Sequence, residues 1–175
     1  MKQPLWLWQF SGFAISTFLG TVLHFVYGWT NGSIFVAPFS AINESTWEHM
    51  KLLFFPTFLF AILQSLFLSN GFSNFWKSKF WGILLGLSSI PILFYTFLGS
   101  FGNPPAWLNI LFFFLSVGLA YFVEYLILIK SKNGKDLPIF YLILLCGIGF
   151  LFVIFTFFTP QLPLFQDPIS GTYGI

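Results

Sequence analysis

Five long apolar runs constrain the fold of this chain more than any other feature. They cover about residues 5–29, 45–69, 80–98, 106–129 and 137–158, and a helix needs about 20 residues to cross the hydrocarbon core of a membrane. Only 7% of the residues are charged, whereas a soluble domain has about a quarter. The runs are apolar on every face instead of alternating as barrel strands do. The sequence therefore predicts an all-α, polytopic membrane helix bundle of about five transmembrane helices, forming one domain over residues 1–175.

The distribution of lysines predicts how this bundle is oriented. One side of the membrane would carry Lys2, Lys77, Lys79, Lys130, Lys132 and Lys135. The loops on the other side hold no lysine, and the seventh, Lys51, falls at the start of the second span. Because lysines concentrate on the cytoplasmic side, we expect the N-terminus inside and the C-terminus outside, in a multi-pass protein of the cell (inner) membrane.

Small residues at four-residue spacing predict where the helices approach closely. They are Gly12, Ser16 and Gly20 in the first span, and Gly82 and Gly86 in the third. The same ridges offer a surface for a homo-oligomer or another membrane protein. Pro56 and Pro91 lie inside predicted spans, where each removes a backbone hydrogen bond and favours a kink.

The stretch at residues 43–51 holds much of the scarce polar chemistry of the chain. Ser45-Thr46-Trp47-Glu48 matches a helix capping box, and the predicted topology puts this stretch on the same outer face as the tail. We therefore expect an outward-facing polar cluster there. Its members are His24, Glu44, Glu48, His49, Lys51, Asn103 and Asp167, and the candidates for ligand binding are His24, Asn43, Glu44, Trp47, Lys51 and Asp167.

Three of these side chains suit a divalent metal ion. His24, Glu48 and His49 supply the imidazole and carboxylate ligands that zinc prefers, although the H-E-x-x-H spacing of many zinc enzymes is absent. Glu48 or His49 is also the candidate acid/base of an enzyme. The alternative interpretation is structural: Glu48 caps the helix and pairs with Lys51, and a His-Glu pair fastens the loop to the bundle.

Glu124 lies in the opposite half of the membrane, six residues before Lys130. Its predicted role is pairing with a connector lysine or with Tyr121 or Tyr125. The alternative is a place in a proton or ion path, since ionisable groups at membrane depth often mark functional sites.

The C-terminal tail, residues 159–175, is too rich in proline and glycine to form a sixth span. We expect it to fold back over the outer face of the bundle, with Asp167 close to Lys51 or His49.

Residues 23–27, the string N-E-S-T-W-E-H-M-K-L at residues 43–52 and the tail at residues 162–175 resemble a family of small bacterial membrane proteins, domain of unknown function 6512. The likeness covers the whole chain, and the string at 43–52 is its most specific part. In that family a histidine often precedes the Leu-Pro-Leu-Phe segment, where this chain has Gln161. That departure counts against a metal site that would use this histidine. The family has no assigned activity, so the resemblance implies fold and location only.

Three functions fit these features. The first is a non-enzymatic integral membrane protein that binds a small ligand, a lipid or a divalent metal ion at its outer face. The second is a membrane-embedded enzyme that acts on a lipid, and the third is a small transporter subunit. A net charge of +2 without a basic cluster indicates the lipid bilayer, and not a nucleic acid, as the partner.

Overall fold

Five long helices make up most of the described part of the protein. The computed structural model describes residues 4–130 and 137–175. Its helices are α1 (Leu5–Trp29), α2 (Thr46–Leu68), α3 (Phe75–Phe101), α4 (Ala106–Ile129) and α5 (Pro138–Phe157). Within those described ranges the only β-pairing is a single bridge between Gln166 and Tyr173. Each of the five helices is long and apolar enough to cross a membrane, which confirms the predicted all-α membrane helix bundle.

Helix α2 occupies the centre of the bundle and contacts the other four helices. Half of its most apolar stretch is buried inside the protein, whereas only 17% of the corresponding stretch of α5 is buried. Leu53 and Phe54 of α2 are fully enclosed in the core. The polar residues that begin α2 are therefore held at the middle of one end of the bundle.

Glycines allow α1 and α3 to approach their neighbouring helices closely. A Cβ atom on Gly20 would lie 2.6 Å from the carbonyl oxygen of Leu52 and 2.6 Å from the ring of Phe113. A Cβ on Gly82 would likewise lie 2.6 Å from the carbonyl oxygen of Ala120. These contacts confirm that the predicted small-residue ridges are helix-packing surfaces within the chain.

Helix α3 differs most from its predicted span. It begins at Phe75 and ends at Phe101, so Lys77 and Lys79 lie inside a helix and not in a connector. Helices α2 and α3 continue through Pro56 and Pro91. Lys2, Lys132 and Lys135, on which half of the lysine count rests, lie outside the described residues, and the orientation of the bundle stays a prediction.

Candidate functional site

The start of α2 is fixed by a chain of side-chain caps. The Asn43 side-chain oxygen accepts a hydrogen bond from the backbone N–H of Ser45 at 2.9 Å. The Ser45 hydroxyl in turn accepts from the backbone N–H of Glu48 at 3.4 Å. Such caps satisfy N–H groups that have no partner inside the helix. They fix the backbone from which the side chains of Glu44, Glu48 and His49 project.

Glu48 and Lys51 form a buried ion pair, as their i, i+3 spacing predicts, with 2.6 Å between carboxylate and ammonium. The Glu48 carboxylate also accepts from the backbone N–H of Ile42 at 3.0 Å. The Lys51 ammonium donates to the Ala37 carbonyl at 2.8 Å and to the Thr156 hydroxyl at 3.0 Å. All three ammonium protons thus have acceptors. This network ties the α1–α2 loop and α5 to the start of α2.

His24, Glu44 and His49 form a separate, partly exposed cluster, which we call the His–Glu cluster. The two Glu44 carboxylate oxygens each lie 3.6 Å from the Nε2 atom of one histidine, and the imidazole centroids are 5.6 Å apart. One ring nitrogen from each histidine and one carboxylate oxygen lie within 4.8 Å of one another. The structure therefore brings Glu44 to the histidines, whereas the Glu48 carboxylate is engaged by Lys51.

The hydrogen bonding of His49 sets the state of its ring. Its Nδ1 atom lies 2.9 Å from the Ser45 carbonyl oxygen, which can only accept, so we assign the proton to Nδ1. In the neutral ring the lone pair is then on Nε2, which faces Glu44. A histidine that donates its second N–H to a backbone carbonyl is the usual arrangement at metal sites. The Nδ1 atom of His24 is buried and has no hydrogen-bond partner within the described ranges.

The tail packs against the same end of the bundle. Phe165 is buried, with its ring centroid 4.6 Å from that of Trp47 and 5.6 Å from that of Phe155. The Asn43 amide donates to the Gly174 carbonyl at 3.4 Å. The tail therefore contacts the residues that immediately precede and begin α2.

The Asp167 carboxylate accepts several hydrogen bonds from the backbone around it. Burial of its carboxyl group disfavours the charged form, but backbone N–H groups of Ile169, Ser170 and Glu44 donate to it, and together they hold its pKa below the usual value. The sequence predicted proximity to Lys51 or His49. The hydrogen bonds of Asp167 are to its own turn and to the backbone of Glu44, and its carboxylate lies within electrostatic range of His49.

A cleft opens beside the His–Glu cluster and runs between α3 and α4. It is narrow, with about 20 Å³ of space open to water-sized groups, and is lined by Glu44, Thr46, His49, Ile90, Phe94, Asn109, Phe112 and Phe113. The side-chain oxygen of Asn109 is buried without a hydrogen-bond partner among residues that the structure describes. Asn103, which the sequence placed in the cluster, is exposed in the turn between α3 and α4.

A second polar network lies in the other half of the bundle. Glu124 pairs with Lys79, which also contacts Gln64, and accepts a hydrogen bond from Gln9 at 2.8 Å. The predicted pairing of Glu124 with a lysine is confirmed, although Lys79 lies within α3. The sequence did not predict that Lys79 lies inside a helix. The carboxylate that compensates its charge there, Glu124, is 45 residues away along the chain.

Comparison with known proteins gives a family and no activity. The profile of a family of unknown function, DUF6512, matches residues 2–175. No curated protein matches the chain, and no solved structure matches it. The match spans nearly the whole chain and includes the five helices, the His–Glu cluster and the tail. The chain therefore belongs to the DUF6512 family of unknown function.

Proposed function

We propose that this protein is an integral protein of a bacterial inner membrane that binds a divalent transition-metal ion through His24, Glu44 and His49. The observation that carries this proposal is the convergence of three ligand atoms within 4.8 Å. Two of them are imidazole nitrogens and one is a carboxylate oxygen, a ligand set that suits zinc.

The spacing of the cluster also fits a metal ion. Two ligand atoms that each lie about 2.0–2.1 Å from a tetrahedral zinc ion are about 3.3 Å apart. Each histidine Nε2 lies 3.6 Å from a different oxygen of Glu44, and ligand atoms taken one per residue lie within 4.8 Å of one another, so an ion would draw these side chains closer together. The Nε2 lone pair of neutral His49 points toward a Glu44 carboxylate oxygen, and two such electron-rich atoms repel each other. A cation between them would make their close approach favourable. Three protein ligands leave a fourth position open, as in catalytic zinc sites.

The distribution of lysines supports an outward orientation of this site. Among the described residues, the end of the bundle with the His–Glu cluster carries no lysine other than Lys51, whose charge is neutralised by Glu48. Lys77 lies at the start of α3 and Lys130 at the end of α4. Both are therefore at the end of the bundle that is opposite to the His–Glu cluster. The positive-inside rule places that lysine-bearing end in the cytoplasm, so the metal ion would be taken from outside the cell.

Removing one ligand at a time tests the metal site. Wild-type protein in lipid nanodiscs is expected to bind one Zn²⁺ per chain, measured by elemental analysis and by competition with a chromophoric chelator. His24→Ala, Glu44→Gln and His49→Ala should each weaken binding by roughly 100-fold or more, since even the loss of a residue that only hydrogen-bonds to a metal ligand costs about 10–100-fold. Affinity should also fall on acidification, because protons compete for the histidine nitrogens.

Asn103→Ala is the matched control, because Asn103 is exposed at the same end of the protein and offers no ligand to the cluster. It should bind zinc as the wild type does. Equal zinc affinity in the wild type and in the triple variant His24→Ala/Glu44→Gln/His49→Ala would refute the site. So would a wild type that binds no zinc at micromolar concentrations.

An acid/base role for Glu48 has less support than metal binding. Its carboxylate is buried and already accepts hydrogen bonds from Lys51 and from the Ile42 backbone. A general base must reach the proton that it removes, and these contacts turn Glu48 away from the cleft. His49 lines the cleft but is a proposed ligand.

A further inference from the structure

A groove runs along the outer surface of the bundle between α1 and α4. It has a volume of about 270 Å³, close to the lower end of the roughly 300–1,000 Å³ typical of small-molecule sites. Each helix supplies three residues to its walls, which are Trp6, Phe10 and Phe13 of α1 and Gly118, Phe122 and Tyr125 of α4. Trp6, Phe10 and Phe122 are each at least 59% exposed, so the groove opens toward the surroundings of the bundle, which in a membrane are lipid.

The groove has the direction and length of a lipid chain in one leaflet. From Gly118 to Tyr125 the helix rises by about 10 Å, at about 1.5 Å per residue, and one leaflet supplies about half of the roughly 30 Å hydrocarbon core. A Cβ atom on Gly118 would meet only the Phe13 ring, at 3.7 Å. Glycine at this position therefore leaves room along the helix where a larger side chain would fill the groove.

The floor of the groove is apolar, because its two polar side chains turn into the bundle. Gln9 and Tyr121 line it, yet the Gln9 amide donates to Glu124 at 2.8 Å. The Tyr121 hydroxyl lies 2.7 Å from that of Ser16. What remains facing outward is ring and hydrocarbon surface, which favours an alkyl chain over a polar molecule.

The mouth of the groove has the opposite character. Trp6 lies in the first turn of α1 and Tyr125 near the end of α4, the depth at which an aromatic belt meets lipid headgroups. An indole N–H and a phenol O–H are both hydrogen-bond donors. Lys130 follows α4 directly and is exposed. Within the described ranges, Glu124 is the only carboxylate in this half of the bundle, and Lys79 neutralises it. The mouth therefore suits an anionic headgroup.

We propose that this groove binds an anionic phospholipid, with one acyl chain between α1 and α4 and its phosphate near Trp6, Tyr125 and Lys130. The inference does not rest on the metal site, which lies at the other end of the bundle. It assigns a second site to the protein, specific for the charge of a membrane lipid.

Two phospholipids with the same acyl chains test the headgroup preference. Purified, delipidated protein in detergent is titrated with palmitoyl-oleoyl phosphatidylglycerol or phosphatidylcholine, and native mass spectrometry counts the bound lipid molecules. The first phosphatidylglycerol should bind about fivefold more tightly, the attraction expected of one lysine near an anionic lipid. Lys130→Gln should reduce that preference toward one and leave phosphatidylcholine binding unchanged. Equal affinity of the wild type for the two lipids would overturn the proposal.

Filling the groove tests its position. Gly118→Leu places a side chain in the space of the acyl chain and should weaken phosphatidylglycerol binding by roughly fourfold or more, the contribution of each buried methylene group. Gly147→Leu is the matched control, because a Cβ there meets nothing within 4 Å and Gly147, on α5, does not line the groove. It should bind as the wild type does. Melting temperatures in detergent report whether both variants fold.

A second pair of variants removes a wall instead of filling the groove. Phe122→Ala truncates an exposed ring and should weaken phosphatidylglycerol binding by about twofold or more, because the chain loses its contacts with that ring. Phe101→Ala is the control, since Phe101 is 78% exposed at the end of α3 and lies outside the groove. Equal affinity within either pair of folded variants would place the lipid elsewhere and overturn the site.

Discussion

Two lysines, Lys51 and Lys79, are buried with at most 1% of their surface exposed. Each pairs with one carboxylate, and each has further oxygen acceptors. Removing an ammonium group from water costs several kcal/mol, which close partners must offset. Two of the polar networks inside this apolar bundle are therefore arranged around these two cations.

Replacement of Lys51 should lower the free energy of unfolding, because it breaks the buried ion pair with Glu48. Lys51→Met leaves the Glu48 carboxylate buried without its cation, and breaking a buried pair from one side costs about 3–5 kcal/mol. We expect a corresponding fall in the free energy of unfolding, measured by denaturant titration in detergent. Lys51→Met/Glu48→Gln should recover part of the loss, because no unpaired charge remains. A double variant as unstable as the single one would contradict this account.

The sequence predicts residue contacts best where they are local. The Glu48–Lys51 pair follows from i, i+3 spacing in one helix. Glu44 lies before the helix, where the chain turns, so its approach to His24 and His49 depends on the loop and on the Asp167 contact. Helix periodicity carries no information on such a contact, and the expected metal ligands were His24, Glu48 and His49.

At the scale of elements, the tail is an integral part of the α2 end of the bundle. Its short 3-10 turn, Pro163–Phe165, places Phe165 against Trp47, and Asp167 accepts a hydrogen bond from the Glu44 backbone. The five helices were predictable because each is a continuous apolar run. That the tail folds back on the bundle was also predicted, but its individual contacts were not, because they depend on one buried aromatic ring and on backbone hydrogen bonds.

Truncation of Phe165 should loosen this element. Phe165→Ala removes a buried ring from its contacts with Trp47 and Phe155, and such changes cost about 3–5 kcal/mol in protein cores. We expect a lower melting temperature in detergent. Ile169→Ala, at a position 82% exposed in the same tail, is the control and should cost less than about 0.5 kcal/mol. Equal melting temperatures for both variants would show that the tail does not stabilise the bundle.

At the scale of the whole molecule, the proposed function requires the α1–α2 loop and the tail to face the cell exterior. Cysteine labelling tests this orientation, because Cys146 is the only cysteine in the chain and can be replaced by alanine. In that background, Phe35→Cys and Ile169→Cys place thiols at exposed positions in the loop and the tail. Lys130→Cys places one at the exposed end of α4.

A membrane-impermeant maleimide added to intact cells should label the Phe35→Cys and Ile169→Cys proteins. It should label Lys130→Cys only after permeabilisation. The reverse pattern would invert the orientation while keeping the bundle. Labelling of loop and tail from opposite sides would be incompatible with the contact between Asn43 and Gly174.

The two buried ion pairs have different consequences for biogenesis. Glu48 and Lys51 belong to one helix, so α2 can enter the translocon with its charges already neutralised. Lys79, near the start of α3, has its carboxylate partner Glu124 on α4, and an unpaired lysine raises the cost of inserting a nascent helix, by up to about 2.5–3.5 kcal/mol at the helix centre. We therefore expect α3 and α4 to leave the translocon together as a hairpin. Until Glu124 has been synthesised, Lys79 would stay near the membrane surface.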